Sequence, residues 1–121
     1  MHGIVLFAHG ARDPEWATPF HQVRARLSAS RPECRIELAY LELMEPALDE
    51  AIARLVEQGA LAITVFPLFM AQGGHLRNDL PRILDDIRAR FARVPIALER
   101  PLGEVPEILD AIAAWIAGRA G

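Results

Sequence analysis

The sequence predicts an α/β fold: a three-layer sandwich in which four parallel strands, in the order 2-1-3-4, carry helices on both faces. Three observations predict it. Four apolar runs alternate with four segments of helical periodicity along the 121 residues. The first and third runs, GIVLFA and LAITVFPL, are apolar nearly throughout, as central strands covered on both sides must be. The second and fourth runs carry Arg35, Glu37, Pro95 and Glu99, which edge strands tolerate.

The first strand is expected over Gly3 to Ala8. A helix follows, opened by Asp13 with Pro14 in its first turn or by Thr18 with Pro19 there. Trp16, Phe20, Val23 and Leu27 form its inward stripe. The second strand, Arg35 to Leu41, alternates through Ile36, Leu38 and Tyr40. Pro46 is expected to open the second helix, with Leu48, Ala51, Ile52, Leu55 and Val56 inward, and Gly59 to stop it. The third strand runs from Leu61 to Leu68. A loop from Phe69 to His75 leads to a helix with Pro81 in its first turn, Asp79 as its cap, and Leu80, Ile83, Leu84 and Ile87 inward. The fourth strand is Val94 to Glu99. The last helix places Ile108, Leu109, Ile112, Trp115 and Ile116 on its core side. No linker or low-complexity segment interrupts the pattern, so residues 1–121 are expected to form a single domain.

Composition narrows the function. A net charge of −3 argues against nucleic acid as the main partner. Every basic residue is arginine, a bias that genomic base composition explains. A single cysteine, Cys34, rules out an internal disulfide and a thiolate zinc site and fits a reducing cytoplasm. No apolar run approaches the length of a membrane span, and no basic segment precedes the short run Ile4 to Ala8 as in a secretion signal.

The strand order makes the candidate site. Between strands one and three the winding direction reverses, and ligands of such sheets bind at the carboxyl ends of the strands flanking that point. His9 follows strand one, with Gly10 beside it. His75 closes the loop after strand three, with Gly73 and Gly74 before it. Glu42 ends strand two on the same rim. Imidazoles favour divalent metals of intermediate softness, and two histidines with one carboxylate leave coordination positions open. The same imidazoles serve as bases near neutral pH. The glycines permit close approach of backbone and substrate. Arg12 and Arg77 suit substrate carboxylates; pairing with Asp13 and Asp79 is the plainer role. Glu45 reads as a helix-capping residue, His21 as a surface residue, and His2 lies at the far end of strand one.

At these residues the chain resembles the short CbiX-type chelatases, the sirohydrochlorin cobaltochelatase and ferrochelatase group. HGARDPEW (His9 to Trp16), YLELMEP (Tyr40 to Pro46) and PLFMAQGGHLRNDLP (Pro67 to Pro81) are similar to that family's segments, in order and at the family's spacing. The resemblance covers essentially the whole chain and implies a chelatase-like half-domain. It implies insertion of a divalent metal (Co2+, with Fe2+ and Ni2+ as alternatives) into sirohydrochlorin or a related tetrapyrrole, and release of two pyrrolic protons. His9 and His75 become the metal-binding and proton-accepting pair and Glu42 a third contributor. Read from the residues themselves, Gly10, Arg12, Gly73, Gly74 and Arg77 are the candidate substrate-binding set, the two arginines facing the acidic rim of the ring. The metal is a substrate, and no organic cofactor is implied. Ala11 departs from the family's serine, so any hydrogen bond from that hydroxyl is missing.

Longer relatives hold two such halves in one chain, so the short form is expected to be a homodimer with its rims facing across a cleft. Met44, Met70 and the last helix are candidate interface surfaces. The competing reading is a metal or tetrapyrrole carrier that uses the same histidines without turnover. A hydrolase lacks support, since no GxSxG elbow is present and Ala8 stands where a histidine phosphatase places arginine.

Overall fold

The computed structural model describes residues 1–121. Strands β1 (His2–Ala8), β2 (Arg35–Tyr40), β3 (Ala62–Pro67) and β4 (Ile96–Leu98) form one parallel sheet in the order β2-β1-β3-β4. The helices are α1 (Thr18–Ser30), α2 (Leu48–Glu57), α3 (Gly74–Arg90) and α4 (Pro106–Arg119). Short 3-10 helices at Pro14–Ala17 and Leu102–Glu104 precede α1 and α4. Both proposed starts of the first helix are therefore used: Asp13 caps the 3-10 turn through its side chain, and Thr18 begins the α-helix.

The pleat splits the core in two. Val5, Phe7, Ile63, Val65 and Ile96 point to one face, where Ile52 and Leu55 of α2 and Leu80, Leu84 and Ile87 of α3 cover them. Ile4, Leu6, Ile36, Leu38 and Tyr40 point to the other, against Trp16, Phe20 and Leu27. Strand register places both central strands between neighbours, with Leu6 opposite Leu38 on one side and Phe66 on the other.

Three expectations are corrected. Pro46 does not open α2. Its carbonyl accepts the Tyr40 N–H at 2.9 Å, prolonging the sheet edge, and α2 begins at Leu48 with the Glu50 carboxylate accepting the Ala47 N–H at 3.0 Å. Pro81 is not in the first turn of its helix. α3 starts at Gly74, and the apolar period of Leu76, Leu80, Leu84 and Ile87 holds it on the core despite the hydrogen bond that proline cannot donate. Asp79 is accordingly no cap; it pairs with Arg82 at 3.2 Å.

The largest correction concerns the last helix. Its stripe does not reach the core, because α4 departs from the sheet and none of its residues is buried. Val23 and Ile83 also turn out exposed within otherwise inward stripes. No helix is long and apolar enough to cross a membrane.

Candidate active site

Ala8 is fully buried and ends β1; the next residue, His9, emerges at the rim. Gly10 then turns with φ +97°, a conformation that side chains rarely adopt. A Cβ on Gly10 would fall 1.9 Å from the carbonyl oxygen of Glu42. This glycine is therefore required twice, for its dihedral and for the close approach of the two backbone segments. The contact is completed by the Leu41 N–H donating to the Ala8 carbonyl at 2.9 Å and the Glu42 N–H donating to the His9 carbonyl at 3.1 Å. Pairing of β1 with β2 thus continues past the strand ends and brings two candidate site residues, His9 and Glu42, into register.

The result is a contact of 3.3 Å between His9 Nε2 and Glu42 Oε1, with each side chain 55% exposed. On its other flank the His9 ring meets the edge of Phe69, at 6.2 Å between centroids and 77° between planes. Phe69 is itself buried and edge-on to Phe7 at 5.6 Å. His9 thus has an open, solvent-facing side and two neighbours that limit its rotation. Leu43 follows Glu42 at φ 66°, an unusual conformation for a bulky residue, and it is exposed.

His75 reaches the same rim by a different route. It is the second residue of α3, after Gly73 in extended conformation at the N-cap, whose carbonyl accepts the Arg77 N–H at 3.1 Å. The His75 side chain is exposed and makes no hydrogen bond or ion pair with His9 or Glu42. No three acidic, histidine or cysteine side chains lie close enough to form a ready metal cluster. The structure therefore joins His9 to Glu42 and leaves His75 on the rim apart from them. Gly73 and Gly74 have open space where a Cβ would be, so neither is needed for packing.

Arg12 and Arg77 are exposed, and neither forms an ion pair; the expected partners Asp13 and Asp79 are engaged elsewhere, by the Glu15 N–H and by Arg82. A groove of about 310 Å³ opens between α2 and α3, lined by Phe7, Leu41, Leu48, Ile83 and Arg90 among others, but none of the rim residues lines it. Phe69 was not singled out in the sequence; only its membership of the loop before His75 pointed to it.

The CbiX family model matches residues 3–118. A protein from Saccharolobus solfataricus named sirohydrochlorin cobaltochelatase is 35% identical over 109 residues, covering 85% of this chain and 84% of that one. A solved structure from Marinobacter aquaeolei VT8, described as that of a cobalamin (vitamin B12) biosynthesis CbiX protein, superposes with a TM-score of 0.83. Its identity is 36%, and the match spans 98% of this chain and 97% of that one. The cobalt complex of the sirohydrochlorin chelatase SirB from Bacillus subtilis subspecies spizizenii shares the fold, with a TM-score of 0.72 at 24% identity; 97% of this chain matches 50% of that one. On the strength of the match from Gly3 to Gly118, and of relatives above 30% identity over most of their length, the chain belongs to the CbiX family.

Proposed function

We propose that this protein inserts a divalent metal ion, Co2+ foremost and Fe2+ or Ni2+ as alternatives, into sirohydrochlorin or a related tetrapyrrole. Membership of the CbiX family and the names of its relatives support the reaction class. The observation that carries the reading to particular residues is the His9–Glu42 contact at the sheet's switch point.

The chemistry needs a metal donor and a proton acceptor on one face of a planar macrocycle. Two pyrrolic N–H protons leave as the dication enters, so ring charge stays balanced. A neutral imidazole offers a lone pair either to the metal or to a proton. When His9 takes a proton, the Glu42 carboxylate at 3.3 Å meets the positive charge formed on the ring. His75, in the first turn of α3 after β3, supplies a second imidazole from the other side of the switch point. Arg12 and Arg77 hold peripheral carboxylates of the macrocycle by forked hydrogen bonds. Gly10, Gly73 and Gly74 leave the approach unobstructed.

One rim gives one wall. A homodimer with two rims face to face would enclose the macrocycle and exclude water from the metal transfer, and we propose that assembly, in a cytoplasmic setting. No organic cofactor enters the scheme.

The test is anoxic incubation of the chain with sirohydrochlorin and each metal, followed by absorbance of the metallated ring. Many insertions per chain above the spontaneous rate are expected. Binding that stops at one ring per chain, with no turnover for any of the three metals, would make the protein a carrier and overturn the enzyme reading.

A further inference from the structure

We propose that Phe69 and Gly103 are positioning residues for His9: the turn before α4 grips the main chain at Phe69, and the Phe69 ring fixes the plane of the imidazole. Their effect on turnover rests on the metal-insertion reading above; the ordering of the ring does not.

Glu42 alone is too weak a hold on His9. Their contact at 3.3 Å joins two side chains that are each more than half exposed. Water competes for both partners there, and pairs of this kind order little. A histidine at a working site is usually oriented through its second ring nitrogen, by a carbonyl or a carboxylate. Nδ1 of His9 has no protein partner; the contact with Glu42 is the ring's one polar tie. What remains to orient the ring is Phe69, set nearly perpendicular to it at 77°.

Phe69 can serve as a stop because it is held from two directions. Its ring is buried and lies edge-on to Phe7, which is buried in turn beneath α2 and α3. Its main chain is held from far along the sequence. The Gly103 N–H donates to the Phe69 carbonyl at 3.1 Å. A Cβ on Gly103 would fall 1.6 Å from the carbonyl oxygen of Met70 and 2.8 Å from its Cα. The φ of Gly103 is outside the left-handed region, so this glycine is required for space alone. The turn itself is fixed to the sheet. The Glu99 N–H donates to the Val65 carbonyl at 2.9 Å, one residue past β4, and Pro101 is buried. Support therefore runs from the end of β4 through Gly103 to the Phe69 main chain, and from the Phe69 ring to the imidazole.

The consequence is kinetic. A side chain that samples several χ1 wells offers its lone pair in the productive direction for only part of the time. Confining it raises the competent fraction of the bound complex, which acts on kcat. The groups that hold the macrocycle are elsewhere on the rim, so KM is little affected.

NMR of the full chain with labelled histidine tests the proposal. In the wild type, three-bond couplings should show one χ1 rotamer for His9, with nuclear Overhauser contacts between the imidazole and the Phe69 ring. Phe69→Leu keeps an apolar side chain in the core and removes the ring edge. Gly103→Ala presses on Met70 without touching His9. Each should average the His9 couplings and lower kcat about 10-fold, with KM within about twofold of wild type. Leu27→Ala loosens the core on the opposite face of the sheet and should keep both the single rotamer and kcat. Averaged couplings in the wild type, or one rotamer surviving in Phe69→Leu, would overturn the proposal. Averaging in Leu27→Ala would overturn it too, by making the order of His9 a matter of general stability. So would wild-type kcat in Phe69→Leu. If Gly103→Ala does not fold, Phe69→Leu decides alone. An inactive wild type whose His9 is ordered, and is released in Phe69→Leu, would overturn the insertion reading and leave the positioning standing.

Discussion

Glu42 and His9 are tied twice: side chain to side chain at 3.3 Å, and backbone N–H to carbonyl at 3.1 Å. The second tie fixes the first, because a carboxylate anchored by its own main chain has few other positions. The expected consequence is that Glu42→Gln lowers turnover by about 10- to 100-fold, the usual cost of losing a partner that orients an imidazole. His9→Ala and His75→Ala should each lose about 10²- to 10⁴-fold. Steady-state insertion assays on variants with unchanged circular dichroism check all three. Wild-type turnover in His75→Ala would remove that residue from the mechanism and leave the His9–Glu42 pair acting alone.

The glycines of the rim separate into two kinds. Gly10→Ala places a Cβ against the Glu42 carbonyl at a positive φ, and should cost about 1–3 kcal/mol of stability. Gly73→Ala meets open space at an ordinary extended φ and should leave stability within about 0.5 kcal/mol of wild type. Urea unfolding measures both. A loss of activity in Gly73→Ala without a loss of stability would mark that position as a site of substrate approach.

Sequence and structure agree on the sheet order and the rim because both follow from gross patterning. An all-apolar run is central and a charged one is an edge, and those facts alone put His9 and His75 at a switch point. The contact between His9 and Glu42 was less legible, since it depends on pairing that runs two residues beyond β2 and on the positive φ of Gly10. Phe69 escaped notice because a loop phenylalanine has no periodic signature. The stripe of α4 was read as facing the core, whereas the whole helix is exposed. Periodicity reports which side of a helix avoids water and is silent about what that side meets. Pro81 misled for a related reason: a proline inside a helix looks like a start until the packing of Leu76 one turn earlier is known.

Helix α3 offers an internal control on core energetics. Leu84 is fully buried, whereas Ile83 beside it is 39% exposed at the groove between α2 and α3. Leu84→Ala should destabilise by about 2–5 kcal/mol. Ile83→Ala should cost about 1 kcal/mol. Equal losses in thermal or denaturant unfolding would contradict the packing described.

Tyr40 is the only tyrosine, so phenolate absorbance reports it alone. Burial pushes its hydroxyl above the ordinary value, opposed in part by the nearby Arg24 charge. In the unfolded chain the group ionises near pH 10. Because the folded value is the higher, Tyr40 contributes stability that is fully present below about pH 10 and is lost as pH rises through the folded value. An absorbance titration of the native protein should therefore have its midpoint above that of the denatured chain, and Tyr40→Phe should flatten the alkaline fall in stability.

The position of β1 has a consequence for biosynthesis. The strand is synthesised before both of its partners, which begin at Arg35 and Ala62. A strongly water-avoiding segment must wait, half-housed, until Ala62–Pro67 has been made. His9 is its immediate successor, so ordering of the imidazole is coupled to a late pairing event. Hydrogen–deuterium pulse labelling during refolding would see the Glu42 amide protected together with those of β3, after the helices have formed.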